Sequence, residues 1–137
     1  MIMPMLAVKD LKASLDFYVK GLGFEQTVSM KGADGEENFA IVALGAAVNI
    51  GLGLHPAQQP VGSGVAFMVY LPDEVDIDQH HAMAVANGVS VPNGIKDEYW
   101  GDRAYETADP DGYVLSFCKT VKQLSNEEIQ EAHAATH

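Results

Sequence analysis

Five histidines, one cysteine, scattered carboxylates and a group of aromatic side chains are the residues of this chain that could do chemistry. His80 and His81 are neighbours on a predicted helix, so their rings diverge by about 100° and cannot share one ion within it. A solvated His80 and a partly packed His81 are expected. His55 falls in a proline-bearing connection, where it could line a cavity mouth, and His133 and His137 belong to an exposed tail. A general acid or base needs a desolvated setting, whereas most carboxylates here lie in polar loops such as Glu36-Glu37 and Asp97-Glu98. No Ser-His-Asp or Cys-His arrangement can be read from the spacing. Catalysis therefore has no visible agent, and Cys118 reads as a buried structural thiol.

Binding has better candidates. Trp100, Tyr99, Tyr105 and Phe39 stand at predicted strand ends or in a long loop, where flat rings can stack on a planar ligand; for Phe39 and Tyr105 core packing is the competing role. Arg103 could anchor a ligand carboxylate, against the alternative of pairing with an acid such as Asp102 or Glu106. Met30, Met68 and the hydroxyl of Ser116 could furnish a soft cavity wall, with plain core as the alternative.

The elements that must position these residues follow from periodicity. Residues 103–107 and 113–118 read as two strands joined at Asp109-Pro110-Asp111-Gly112, where Pro presets φ and Gly accepts a positive φ. In the first half, residues 3–8 form a strand and Asp10 caps a helix over 11–20. Strands follow over 24–30, 38–44 and 46–52, the first two joined by a turn at Asp34-Gly35. In the second half, 65–71 is a strand, Pro72 and Asp73 open a helix running to Asn87-Gly88, 89–91 is a short strand and 92–101 a loop. Both halves read βαβββ, with Asp73 answering Asp10 and Asp111-Gly112 answering Asp34-Gly35. Ser125-Asn126-Glu127-Glu128 is a capping-box pattern that starts a C-terminal helix. The expected division is a first module over 1–54, a linker over 55–63, a second module over 64–120 and a helical tail over 121–137, the modules forming one α+β domain.

Composition sets the class. A chain of 137 residues that is 47% hydrophobic suits one compact domain with a real core. No apolar run approaches the ~20 residues that cross a bilayer, and no basic segment precedes an apolar stretch at the start, so neither a membrane nor a secretory signal is expected. One cysteine permits no internal disulfide, which fits a cytoplasmic location. A net charge of −11 with 8 Lys and Arg argues against nucleic acid; the acidity serves solubility or, as the alternative, a negative field that draws in a cationic small molecule as partner.

The run Leu6-Ala7-Val8-Lys9-Asp10-Leu11-Lys12-Ala13-Ser14-Leu15-Asp16-Phe17-Tyr18, closed by Leu22-Gly23-Phe24, together with Trp100-Gly101 and Asp109-Pro110-Asp111-Gly112, resembles the vicinal oxygen chelate superfamily of glyoxalases, extradiol dioxygenases and bleomycin-resistance proteins. The resemblance implies paired βαβββ modules that curl mixed sheets around a cavity, usually in a homodimer. In metal-dependent members it implies His and Glu ligands at set strand positions. Here those positions are Met3, Gly64, Ser116 and a residue within 49–51, none of which offers a carboxylate or an imidazole. A divalent ion needs several such ligands at about 2.0–2.5 Å, so no metal and no cofactor are expected at the usual place. The resulting expectation is a metal-free small-molecule binding protein of the glyoxalase/bleomycin-resistance type, sequestering a cationic or aromatic compound such as an antibiotic. The alternative is a lyase, isomerase or dioxygenase of the same superfamily with a displaced metal site built from His55 and loop acids.

Overall fold

A computed structural model describes residues 2–56 and 65–136. The chain runs β1 (Met5–Val8), α1 (Leu11–Leu15) continued by a π-helical turn (Asp16–Gly21), β2 (Glu25–Lys31), β3 (Glu37–Leu44), β4 (Val48–Leu54), β5 (Ala66–Tyr70), α2 (Ile77–Ala86), β6 (Ile95–Asp97), β7 (Asp102–Ala108), β8 (Val114–Thr120) and α3 (Asn126–Thr136). Two four-stranded mixed sheets result, in the orders β1-β4-β3-β2 and β5-β8-β7-β6, each with one parallel pair. The two-module α+β fold is as expected. Gly64 and most of the expected linker lie outside the described residues. Among the described residues no helix is long and apolar enough to cross a membrane.

Helices α1 and α2 and the inward faces of both sheets share one hydrophobic core. Strand alternation sends Leu6, Val8, Ile50, Leu52, Ala40 and Val42 inward from the first sheet. Val69, Leu71, Tyr105, Leu115 and Phe117 do the same from the second. Tyr105 and Phe117 stack at 5.2 Å, and the Tyr18, Phe24 and Phe117 rings form an edge-to-face chain from one module to the other. Fully burying each such ring is worth about 1.5–3 kcal/mol.

Polar groups tie the seam. Tyr18, carried inward by the π-helical turn, donates its hydroxyl to Asp109 at 2.8 Å, and the Lys9 amide donates to Asp111 at 2.9 Å. The two carboxylates of the Asp-Pro-Asp-Gly turn, both buried, thus reach across to the other module.

Several sequence expectations are corrected. Helix α2 starts at Ile77, not near Asp73, because Asp76 is its N-cap and accepts from the Gln79 amide. That phase buries Ile77, His80 and Ala84, and leaves Val85 exposed. His80 is therefore the packed histidine, only 6% exposed, and His81 the outer one. Residues 89–91 are not a strand; β6 lies instead within the expected loop. Asp34-Gly35 joins β2 to β3 and Asp111-Gly112 joins β7 to β8, so the two turns do not occupy equivalent places in the modules.

His80 gives a pH prediction. Its Nε2 lies 3.0 Å from the Leu22 carbonyl, which can only accept, so the neutral ring donates there and Nδ1 accepts the Tyr105 hydroxyl at 2.6 Å. Burial pushes its pKa below the ordinary 6.5. A depressed value adds stability that is complete above about pH 6.5 and is lost as pH falls below it. Thermal midpoints between pH 8 and 5 should fall for the natural protein and fall less for His80→Gln; parallel profiles would remove His80 as the cause.

Candidate functional site

Each sheet has a second face, turned away from the helices, and those open faces carry the exposed Met5, Met30, Met68 and Tyr70. On the first, Met5 and Ala7 stand beside Gly51 and Gly53, which lie opposite Ile41 and Phe39. Gly51 has no side chain, and the space a Cβ would take is filled by the Met5 sulfur with the tip of Phe39 nearby. His55 Nε2 comes within 3.9 Å of the corresponding point on Gly53. Phe39 and His55 are thus gathered over a glycine floor on β4, and Met30 stands opposite Phe39 on β2.

The open face of the second sheet carries Met68 and Tyr70 on β5, Ser116 and Cys118 on β8, and Asp102, Ala104 and Glu106 on β7. Met68 is 51% and Tyr70 49% exposed. A hollow of about 80 Å³ opens between β6, β7 and β8, lined by Lys96, Glu98, Glu106 and Ser116 among others. A larger, mostly apolar cleft of about 410 Å³ lies where β4 faces β5, with Ile2, Pro4, Asn49, Phe67, Met68 and Tyr70 in its walls.

Asp102 is the polar centre of this face. Only 3% exposed, its carboxylate accepts from the Tyr70 hydroxyl at 2.6 Å, the Trp100 indole at 2.9 Å and the Thr120 hydroxyl at 2.9 Å. The bond to Asp102, with some burial, pushes the Tyr70 phenol up to about 12. Burial raises the Cys118 thiol, so it is a poor nucleophile where it sits.

The structure separates the other residues singled out from the sequence. Tyr99 turns toward α3, its hydroxyl 2.7 Å from His133 Nδ1, with the Trp100 ring packed edge-on against it. Arg103 is spent on Asp78 at 2.9 Å and Asp97 at 3.0 Å, not on Asp102 or Glu106, because odd positions of β7 face away from that side of the sheet. Tyr105 is 2% exposed and lies in the core with its hydroxyl on His80, so its ring packs and is not presented on the open face. Sequence reasoning missed Tyr70, Asp102, Glu98 and Glu106. Tyr70 was findable, because alternation along β5 places it on the face of Met68. Asp102 was not, since nothing marks one acid among 19 Asp and Glu.

At the strand positions where the resemblance implies metal ligands, the described residues are Met3, Asn49, Ile50, Gly51 and Ser116. That donor set does not fit a divalent ion. Among the described residues no three His, Cys, Asp or Glu side chains converge on one point.

A family model, the Glyoxalase/Bleomycin resistance protein/Dioxygenase superfamily, matches residues 2–117. The chain belongs to that superfamily. Its relatives in the superfamily include a bleomycin resistance protein of Geobacillus stearothermophilus, 29% identical over 132 residues that cover 87% of this chain and 96% of that one. A glyoxalase/bleomycin resistance protein from Streptomyces sp. CB03234 has a similar crystal structure, with a TM-score of 0.67 and 30% identity over 85% of this chain and 97% of the other. The bleomycin resistance determinant encoded on transposon Tn5 shares the fold, at a TM-score of 0.65 and 20% identity over 88% of this chain and 97% of that one. A superfamily of this breadth fixes the scaffold, while the chemistry rests on the particular site.

Proposed function

We propose that this superfamily member is a metal-free, cytoplasmic homodimer that captures a small planar cation without altering it. The observation that carries the reading is the open face of the second sheet, where Tyr70 and Trp100 both bond to Asp102, and a separate hollow on the same sheet is lined by Glu98 and Glu106 with Lys96, which pairs with Glu98 at 3.9 Å. Rings supply stacking area, and acids in a chain of net charge −11 raise the encounter rate with cations. The bleomycin resistance name of the relative suggests a basic, partly aromatic antibiotic as the first compound to try.

The homodimer is supported by the apolar surface that one chain leaves exposed. The 80 Å³ hollow is well below the ~300–1,000 Å³ of a drug-sized site, whereas the 410 Å³ cleft lined by Met68 and Tyr70 falls within it. Met5, Met30 and Met68, all more than half exposed, suit a surface that a second copy would cover.

Titration with bleomycin and with proflavine, a planar cation, tests the reading by calorimetry. Saturable binding is expected, with Trp100→Ala weakening it about tenfold, or roughly 1.4 kcal/mol. Absence of binding of either compound at millimolar concentration would reject it, as would stoichiometric metal held by this chain's own side chains.

A further inference from the structure

We propose that Asp102 is a positioning residue of this site: its buried carboxylate fixes the indole of Trp100 and the phenol of Tyr70 as a preset aromatic wall on the open face of the second sheet. The inference rests on the reading of that face as the ligand site, and it names the group that makes the face rigid. Trp100 lies before β7 and Tyr70 ends β5, with β8 between those strands, so no backbone ladder joins the two residues directly. What joins them is one oxygen, Oδ2 of Asp102, which accepts from both. The other oxygen, Oδ1, accepts from Thr120 on β8 and pins the carboxylate itself.

The arrangement suits a wall more than a simple brace. Tyr70 remains half exposed and Trp100 half-buried, so their polar atoms are consumed while ring surface stays open to a guest. Tyr70 also lines the 410 Å³ cleft between the modules. Among the described residues no Lys or Arg forms an ion pair with Asp102, so its charge is held by these three donors alone. Hydrogen bonds to a charged acceptor in a shielded setting are the strong kind, and a side chain held in its bound rotamer loses less entropy on binding.

Trp100 is the only tryptophan of the chain, so its emission reports the wall directly. Asp102→Ala should shift that emission to the red, increase quenching by acrylamide, return the Tyr70 phenol toward its ordinary 10, and raise the dissociation constant for proflavine about tenfold. Asp102→Asn, which keeps an acceptor oxygen toward the rings, should recover most of the emission and affinity. Tyr70→Phe keeps the ring and deletes only the bond to Asp102, so it serves if the alanine variant does not fold; it should weaken proflavine binding several-fold. A purely structural Asp102 would lower the melting temperature while leaving emission, quenching and affinity of the folded variants unchanged, and that result overturns the proposal. If the natural protein binds neither proflavine nor bleomycin, the ligand-site reading fails instead, which the variants cannot mimic.

Discussion

Asp109→Ala is expected to lower the unfolding free energy by about 3 kcal/mol, measured by urea denaturation at pH 7. The Asp109 side chain accepts from the Tyr18 hydroxyl and from the amides of Asp111 and Tyr113, all near the buried seam between the modules. Alanine leaves those donors without a partner, at about 1–3 kcal/mol for each that is buried. Part of the loss is offset, because burial raises the Asp109 carboxyl above its ordinary 3.8, so the ionised form is held at a cost. The sign follows from linkage: a raised carboxyl adds stability below its unfolded value and loses it as pH rises through the folded one. Asp109→Asn, which keeps an acceptor and discards the charge, should therefore stay within about 1 kcal/mol of the natural protein at pH 7, and compare less favourably near pH 4. An alanine variant as stable as the natural protein would show that the turn does not hold the modules together.

Gly101→Ala should cost on the order of 3 kcal/mol or more and disturb the site as well. Gly101 has φ of +101°, which side chains rarely adopt, and an added Cβ would overlap the Lys122 carbonyl oxygen. Backbone cannot rotate aside as a side chain can. The Gly101 carbonyl accepts from the amides of Val121 and Lys122, each at 3.0 Å, so this crossing fastens the segment after β8 next to Trp100. Circular dichroism melts, Trp100 emission and proteolysis between β8 and α3 would register the change together. Unchanged melting with intact emission would mean that the crossing relaxes without loss.

The repeat of βαβββ was legible because it rests on local rules. Period-2 alternation marked most of the strands, Asp10 marked a cap, and the Asp-Pro-Asp-Gly turn marked the β7–β8 hairpin. The start of α2 was not legible, because Asp73 and Asp76 are both acceptable caps and only packing chooses the phase that buries Ile77, His80 and Ala84. Strand β6 escaped notice for a related reason. Three residues carry too little pattern to stand out, and pairing with β7 is what makes Ile95–Asp97 extended.

The candidate site divides in the same way. Residue types already pointed to rings, soft thioether walls and an absence of ligands at the expected metal positions, because those are properties of side chains at given places along the chain. Tertiary structure alone decided that Tyr105 turns into the core, that Arg103 is consumed by Asp78 and Asp97, and that Asp102 joins Tyr70 to Trp100. Which partner a polar atom meets across 32 residues of chain depends on how strands stack side by side, and no local pattern encodes that.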